Sequence, residues 1–435
     1  MSNDTTGPNT TEPDIAGTET TPPPAVEQAV DPRLLVREEG FKGYLNEFRR
    51  KVRGGELGSL PVVIGLVIIW AVFSIKDSGY FAASTATFIA YYGAGLCLLA
   101  MGMVFVLLLG EIDLSIGSVS GLSAAIYAVL YIHDGWNPWL ALIVTLLCGA
   151  AIGAIHGWVF AKIGVPAFVV TLAGFLAWQG LMLWVLGSSG TINLDNKGLM
   201  GILTGNSEFL GADISGGYIL ATVAVVISLL GGLNEQRRRR AAGIPFRPTS
   251  ELILRTGLLA VVAYVVAYIL NTDKGVPNVL VLVLVLLVLA DWVLRRTTYG
   301  RQVFAVGGSI EASRRAGINV ARIRISVYTI SGTFAALGGL AIAGTTQSAN
   351  LSGADPNNLM MAIAAAVIGG TSLFGGRGRV WSALLGVLVI ESIQYGLYRL
   401  SMGQDAEYMI MGAVLLAAVI VDSLSRRSQK NSGRG

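Results

Sequence analysis

ATFIAYYGAGLCLLAMGMVFVLLLGEIDLSIGS, residues 86–118, decides the fold. Its first part, 86–109, runs without one charged side chain. As a helix rising 1.5 Å per residue it reaches about 36 Å, enough to cross the ~30 Å hydrocarbon layer of a bilayer. Then come Gly110, Glu111, Asp113 and Gly117, and a second apolar run begins at about residue 115. Acids flanked by glycines between two spans predict a broken helix. Non-helical backbone at membrane depth is tolerated only where it is buried in protein or lines water. Glu111 and Asp113 are therefore candidates for the wall or gate of a translocation path.

Working outward, the same reading finds twelve apolar segments, near 59–75, 86–109, 115–132, 139–160, 165–187, 217–233, 252–270, 277–294, 325–345, 358–374, 380–398 and 406–422. Only 13% of the 435 residues are charged, against about 25% in soluble domains. Placing the amino terminus inside and alternating the spans puts 23 Lys and Arg in inside segments, with Arg33, Arg37, Lys42 and Arg255 also on the inside half. Only Lys76, Lys197, Lys274 and Arg399 fall outside. That asymmetry follows the positive-inside rule. The expected fold is an all-α, polytopic transmembrane helix bundle of about twelve spans, both termini cytoplasmic. Residues 1–57 read as a cytoplasmic tail, its first part rich in Thr and Pro and too polar to bury a core. Residues 58–424 form the transmembrane domain, and 425–435 a second cytoplasmic tail.

The net charge of +4 belongs to these loops and not to a nucleic-acid surface. Cys97, Cys148, His133 and His156 make no zinc pattern, and no metal or cofactor is expected on the chain. The nearest approach to a phosphate loop is GTSLFGGR at 370–377, which lacks the Lys-Ser/Thr pair. Residues Gly369–Arg379 read instead as a tight turn, its glycines permitting positive φ. The chain is expected to hydrolyse no ATP.

Two inside loops stand out. One carries Arg237–Arg240, read as a topology anchor able to meet anionic lipid. The other, about 295–324, breaks near Gly307–Gly308, after which Ser309 is placed to cap a short helix over Ile310–Ala316. Glu111 aside, Glu311 is the acid of most interest: it sits in that helix's first turn, where the helix dipole favours an anion. Gly317 is placed to stop the helix. So short a helix is unstable alone and needs a partner surface.

The pattern Glu311-Ala312 followed by Gly317 resembles the coupling motif of ABC importer permeases. Longer stretches carry the likeness further: GEIDLSIGS (110–118), VPAFVVTLAG (165–174), YGRQVFAVGGSIEASRRAGINV (299–320) and AIAAAVIGGTSLFGGRGRV (362–380). From about Gly58 to Arg427 the chain is similar to the ribose/xylose/galactose permease family, most like its xylose branch, whose members also carry an arginine-rich hairpin matching about 217–270. The resemblance implies a helical permease acting as a homodimer with two ATP-binding cassette subunits, which hold ATP and Mg, and an extracytoplasmic sugar-binding protein. It implies that Glu311, Ala312, Arg314, Arg315 and Gly317 dock on the ATPase and transmit its closure. The expected function is import of a monosaccharide, xylose foremost. A carrier driven by an ion gradient is the alternative; the coupling-type helix argues against it.

Further path candidates lie inside spans, where polar groups are costly and usually functional. Glu391, Gln394, Tyr395 and Tyr398 fall at i, i+3, i+4 and i+7, one helical face suited to weak sugar binding. Thr171 and Trp178 share a face near Gln179. Members of the family often have arginine where Gln179 stands, so a role for charge there does not carry over.

Overall fold

Each apolar segment folds as a helix. The computed structural model describes residues 60–195, 197–205, 216–243 and 249–431; the tail predicted over 1–57 lies outside the described residues. Its helices are α1 (Leu60–Lys76), α2 (Ala83–Leu108), α3 (Ile116–Ala128), α4 (Pro138–Trp158), α5 (Ala167–Leu186), α6 (Gly198–Thr204), α7 (Gly216–Ala241) and α8 (Thr249–Asn271). They continue as α9 (Asn278–Arg296), α10 (Thr298–Gly308), α11 (Ile310–Arg315), α12 (Val320–Thr346), α13 (Pro356–Ile368), α14 (Trp381–Arg399) and α15 (Gln404–Asn431). A three-residue ribbon pairs β1 (Thr191–Asn193) antiparallel with β2 (Ser348–Asn350), Ile192 opposite Ala349.

Among the described residues, eight helices are long and apolar enough to cross a bilayer: α2, α3 continued by a helical turn to His133, α4 continued to Ile163, α5 continued to Ser189, α7, α8, α9 and α12. The run predicted over 358–374 is shorter than expected, because α13 stops at Ile368 and Gly370, Gly375 and Gly376 turn the chain with φ of 103°, 80° and 70°. At 13 residues α13 spans only about 20 Å. The last helix is longer than expected: α15 runs on to Asn431, into the predicted tail.

Helix α2 sits at the centre. It is apolar around its whole circumference, as a helix surrounded by others must be, and every residue from Gly93 to Leu108 is buried. α9, α12, α13 and α14 pack on it. α4 crosses α12 where Gly149, Gly153 and Gly157 recur every fourth residue. A Cβ on Gly153 would lie 2.1 Å from the Tyr328 carbonyl oxygen. Small residues at that spacing let backbones touch, which is how helices associate without a hydrophobic drive between them.

The loops join in two sets. Asp77, after α1, pairs with Arg399 at the end of α14, and the β-ribbon ties the loop after α5 to the loop after α12. In the other set, the Gly376 amide donates to the Leu108 carbonyl at 2.9 Å. Arg296 reaches Glu235 at 3.0 Å, and the Arg324 guanidinium lies 4.2 Å over the Phe160 ring.

Candidate functional site

The segment between α9 and α12 is two helices meeting at Ser309, where the sequence suggested a loop broken at the glycines. α10 includes Gly307 and Gly308, and the backbone turns out of helix at Ser309, φ −160°. The Ser309 hydroxyl accepts from the Ala312 amide at 3.2 Å, capping α11. Gly317, φ 78°, closes it: its amide donates to Arg314 and the Ile318 amide to Ser313, each at 3.0 Å. These paired bonds are the Schellman closure, which needs the left-handed conformation glycine takes freely. Ser313 turns inward, while Glu311, Ala312, Arg314, Arg315 and Gly317 are all exposed. Glu311 and Arg315 stand 3.9 Å apart, both more than three-quarters exposed. A pair so wet contributes little, so both groups remain available to a partner.

α10 anchors this exposed helix to the bundle. A Cβ on Gly307 would lie 1.8 Å from the Leu108 carbonyl oxygen and 2.8 Å from the Gly376 amide. The backbone of α10 is therefore in direct contact with the end of the central helix. Tyr299 and Ser326 hydroxyls, 3.1 Å apart, join α10 to α12. α11 is thereby joined to α2 and α12 through backbone and hydroxyl contacts, with no long flexible side chain between.

At the far end of that contact, α2 breaks at Gly110, φ 79°. Gly117 is not part of the break; it lies within α3, packed against Leu359 and Asp355. Between them the chain carries Asp113 into the interior, 3% exposed. One carboxylate oxygen accepts from the Ser115 amide at 3.0 Å and its hydroxyl at 2.6 Å; the other accepts from Ser331 of α12 at 2.8 Å. Ser115 also meets His156 Nδ1 of α4 at 3.2 Å, and His156 Nε2 accepts from the Trp178 indole of α5 at 2.9 Å. An indole N–H can only donate. It therefore holds the imidazole neutral with its proton on Nδ1, directed at Ser115. One chain of hydrogen bonds thus ties the break to α12, α4 and α5. Gly174 permits it: a Cβ there would lie 2.4 Å from His156 Nε2.

The four-residue face on α14 divides between neighbours. Glu391, 7% exposed, packs with its side chain beside Gly93 of α2. Tyr395 is buried with its ring 4.3 Å from Phe88, and Tyr80 and Tyr398 extend the aromatic cluster. Gln394 turns to α15, donating to Glu407 at 2.6 Å. Tyr398 is 74% exposed. On α5, Thr171 is buried and donates to its own helix at Ala167, and Gln179 is half-buried.

Residues 85–419 match the family described as "Branched-chain amino acid transport system / permease component". The chain belongs to this family. It is a multi-pass inner-membrane permease subunit of an ABC importer. Among its relatives, the permease is 34% identical over 371 residues to the xylose transport system permease protein XylH of Escherichia coli, covering 84% of this chain and 90% of that protein. It is 32% identical over 382 residues to XylH of Haemophilus influenzae, covering 87% of this chain and 99% of that protein. The fructose import permease protein FrcC of Rhizobium meliloti is 30% identical over 370 residues, 85% of this chain and 86% of that protein. No solved structure matches the permease.

The structure of the permease brings Asp113 and Trp178 together through residues the sequence reading left aside. His156 was considered only for zinc, and Ser115 and Ser331 not at all. A histidine inside an apolar run was the available signal, since polar groups at depth need partners. Ser331 gave none, being 218 positions from Asp113. Glu111 is half-buried, and no hydrogen bond among the described residues joins its side chain to this network. Glu391 and its neighbours form a separate group against α2 and α15.

Proposed function

We propose that this permease forms the membrane path of an ATP-driven importer that carries a monosaccharide, xylose foremost, into the cytoplasm. The observation that carries the mechanism is α11: a capped, exposed helix, unstable alone, whose supporting helix α10 touches the end of α2 through Gly307. The printed names of the two xylose permeases among the relatives support the sugar. In this reading two copies of the permease act with two ATP-binding subunits and an extracytoplasmic sugar-binding protein. The ATPases hold ATP and Mg; the permease binds neither. The loop pairings Asp77–Arg399 and Glu235–Arg296 join only loops that alternating spans put on one side, which favours twelve spans with both termini cytoplasmic.

Closure of the ATPases moves α11, and α10 carries the movement to the α2 break. There the Asp113 network must hold or release α3 against α12. A conduit of this kind needs weak contacts, and Glu111, Glu391, Gln394, Tyr395 and Tyr398 with Thr171 and Gln179 are its candidates. The test is uptake of labelled xylose in cells with and without the chain, an uncoupler collapsing ion gradients while ATP is maintained. Uptake that requires the chain and survives the uncoupler is expected. Uptake that fails with the gradient would replace this reading with a secondary carrier.

A further inference from the structure

A cavity of about 620 Å³ opens beside the coupling segment, between the end of α4, the start of α10 and the first turns of α12. Its mouth carries two cations, Lys162 and Arg322, both exposed. Among the described residues neither has an acidic partner: every ion pair involves other side chains. Next to them stand Asn319, whose side-chain oxygen is used by the Arg322 amide, and the Tyr299 and Ser326 hydroxyls. Further along α12 the lining includes Ile325, Ile330 and Thr329, whose hydroxyl is spent on the Ile325 carbonyl at 2.8 Å.

Depth gives this arrangement its meaning. Arg322 is the third residue of α12, and Ile330 lies eight positions on, about 12 Å further along the helix. α12 is 27 residues long, about 40 Å, so its first turn stands at the headgroup level and Ile330 within hydrocarbon. The cavity is cationic where phosphates lie and apolar where acyl chains lie. A soluble anion would use only the mouth. A zwitterionic lipid would bring its own cation against Lys162 and Arg322.

We propose that this cavity is a binding site for one anionic phospholipid, its phosphate held between Lys162 and Arg322 and an acyl chain laid along Ile325 and Ile330. Basic pockets between helices at a membrane face are suited to such headgroups. The site shares α10 and α12 with the coupling segment through the Tyr299–Ser326 bond, so an occupied cavity would brace the joint through which α11 acts. It is distinct from Arg237–Arg240, which lie on α7.

Native mass spectrometry of the full-length permease in detergent tests this, with phosphatidylglycerol, phosphatidylcholine and inorganic phosphate as separate probes. One phosphatidylglycerol should bind in preference to phosphatidylcholine. The Lys162→Gln/Arg322→Gln variant should bind it about twenty- to thirtyfold more weakly, about fivefold for each cation lost. A variant with Arg237–Arg240 all changed to glutamine should keep that lipid. Retention by the Lys162/Arg322 variant, equal binding of phosphatidylcholine, or full competition by inorganic phosphate would each overturn the proposal. A more conservative Arg322→Lys variant, which keeps the charge, should retain at least a third of the wild-type affinity; a loss as large as for the double variant would mean the cavity had collapsed and the site was not read correctly.

Discussion

The permease has two arginine-bearing connections on one set of loops, and they are built in opposite ways. The hairpin α7–α8 extends Arg237–Arg240 on a helix that packs mainly on its own partner, through Tyr218, Thr222 and Tyr264. Only 11% of the apolar window of α8 is buried, against 89% for α2. Its acids pair locally: Glu235 takes Arg239 at 3.1 Å and Arg296 at 3.0 Å, and Glu251 takes Arg255 at 2.9 Å. The α10–α11 connection is the reverse. Its backbone is pressed on the central helix, while its charges face solvent. A segment that transmits force needs stiff contact with the core and free chemistry at the tip; a segment that sets topology needs neither.

The strongest way to break this contrast is Glu311→Lys. Uptake should fall to background with the protein still in the membrane, whereas changing Arg237–Arg240 to glutamine should leave the initial rate within about twofold. Equal loss in both would mean the two connections do one job.

Next in size is a pair of glycines. Gly307→Val forces a side chain into the Leu108 carbonyl, and overpacking of this kind costs about 1–3 kcal/mol or more. It should lower uptake at least tenfold and lower the melting temperature in detergent. Gly231→Ala, in α7 with open space around it, should be neutral or stabilise by about 0.5–1 kcal/mol.

A third comparison sets the buried network against the exposed one. Asp113→Ala leaves the Ser115 and Ser331 hydroxyls without their acceptor, costing about 2–4 kcal/mol. Glu235→Ala removes exposed pairs worth about 0–1 kcal/mol. Thermal melts of the two variants should differ by several degrees. Trp178→Phe should lie between them, since it strands only His156 Nε2.

The smallest effect is one of pH. The Arg399 guanidinium, and after it the Gly79 amide, hold the Asp77 carboxyl below its ordinary value. A depressed carboxylate pKa stabilises the fold above the unfolded value of 3.8 and loses that contribution as pH falls through the lower folded one. The melting temperature should therefore drop slightly more below about pH 4 in wild type than in Asp77→Asn, and the difference should shrink with salt.

Much of this was legible in the sequence. The twelve apolar runs fall on helices, and Ser309 and Gly317 cap α11 as their chemistry requires. Gly307 was misread, because glycine pairs usually end helices, and only the nearby Leu108 and Gly376 backbone reveals why glycine stays inside one. The even spacing of Glu391, Gln394, Tyr395 and Tyr398 gave a shared helical face but not the two neighbours that divide it. The Asp113–Ser115–His156–Trp178 chain joins residues from separate segments, and nothing in local periodicity brings them together.

The account rests on α11 touching the ATPase. In a permease with Cys97 and Cys148 changed to alanine, Ala312→Cys and, separately, Arg238→Cys would be crosslinked in membranes containing the co-expressed ATP-binding subunit, itself identified by photolabelling with an azido-ATP. The account predicts a crosslink from position 312 whose yield changes with nucleotide, and none from position 238. A crosslink from 238 alone, or none from 312 in membranes that import xylose, would contradict it.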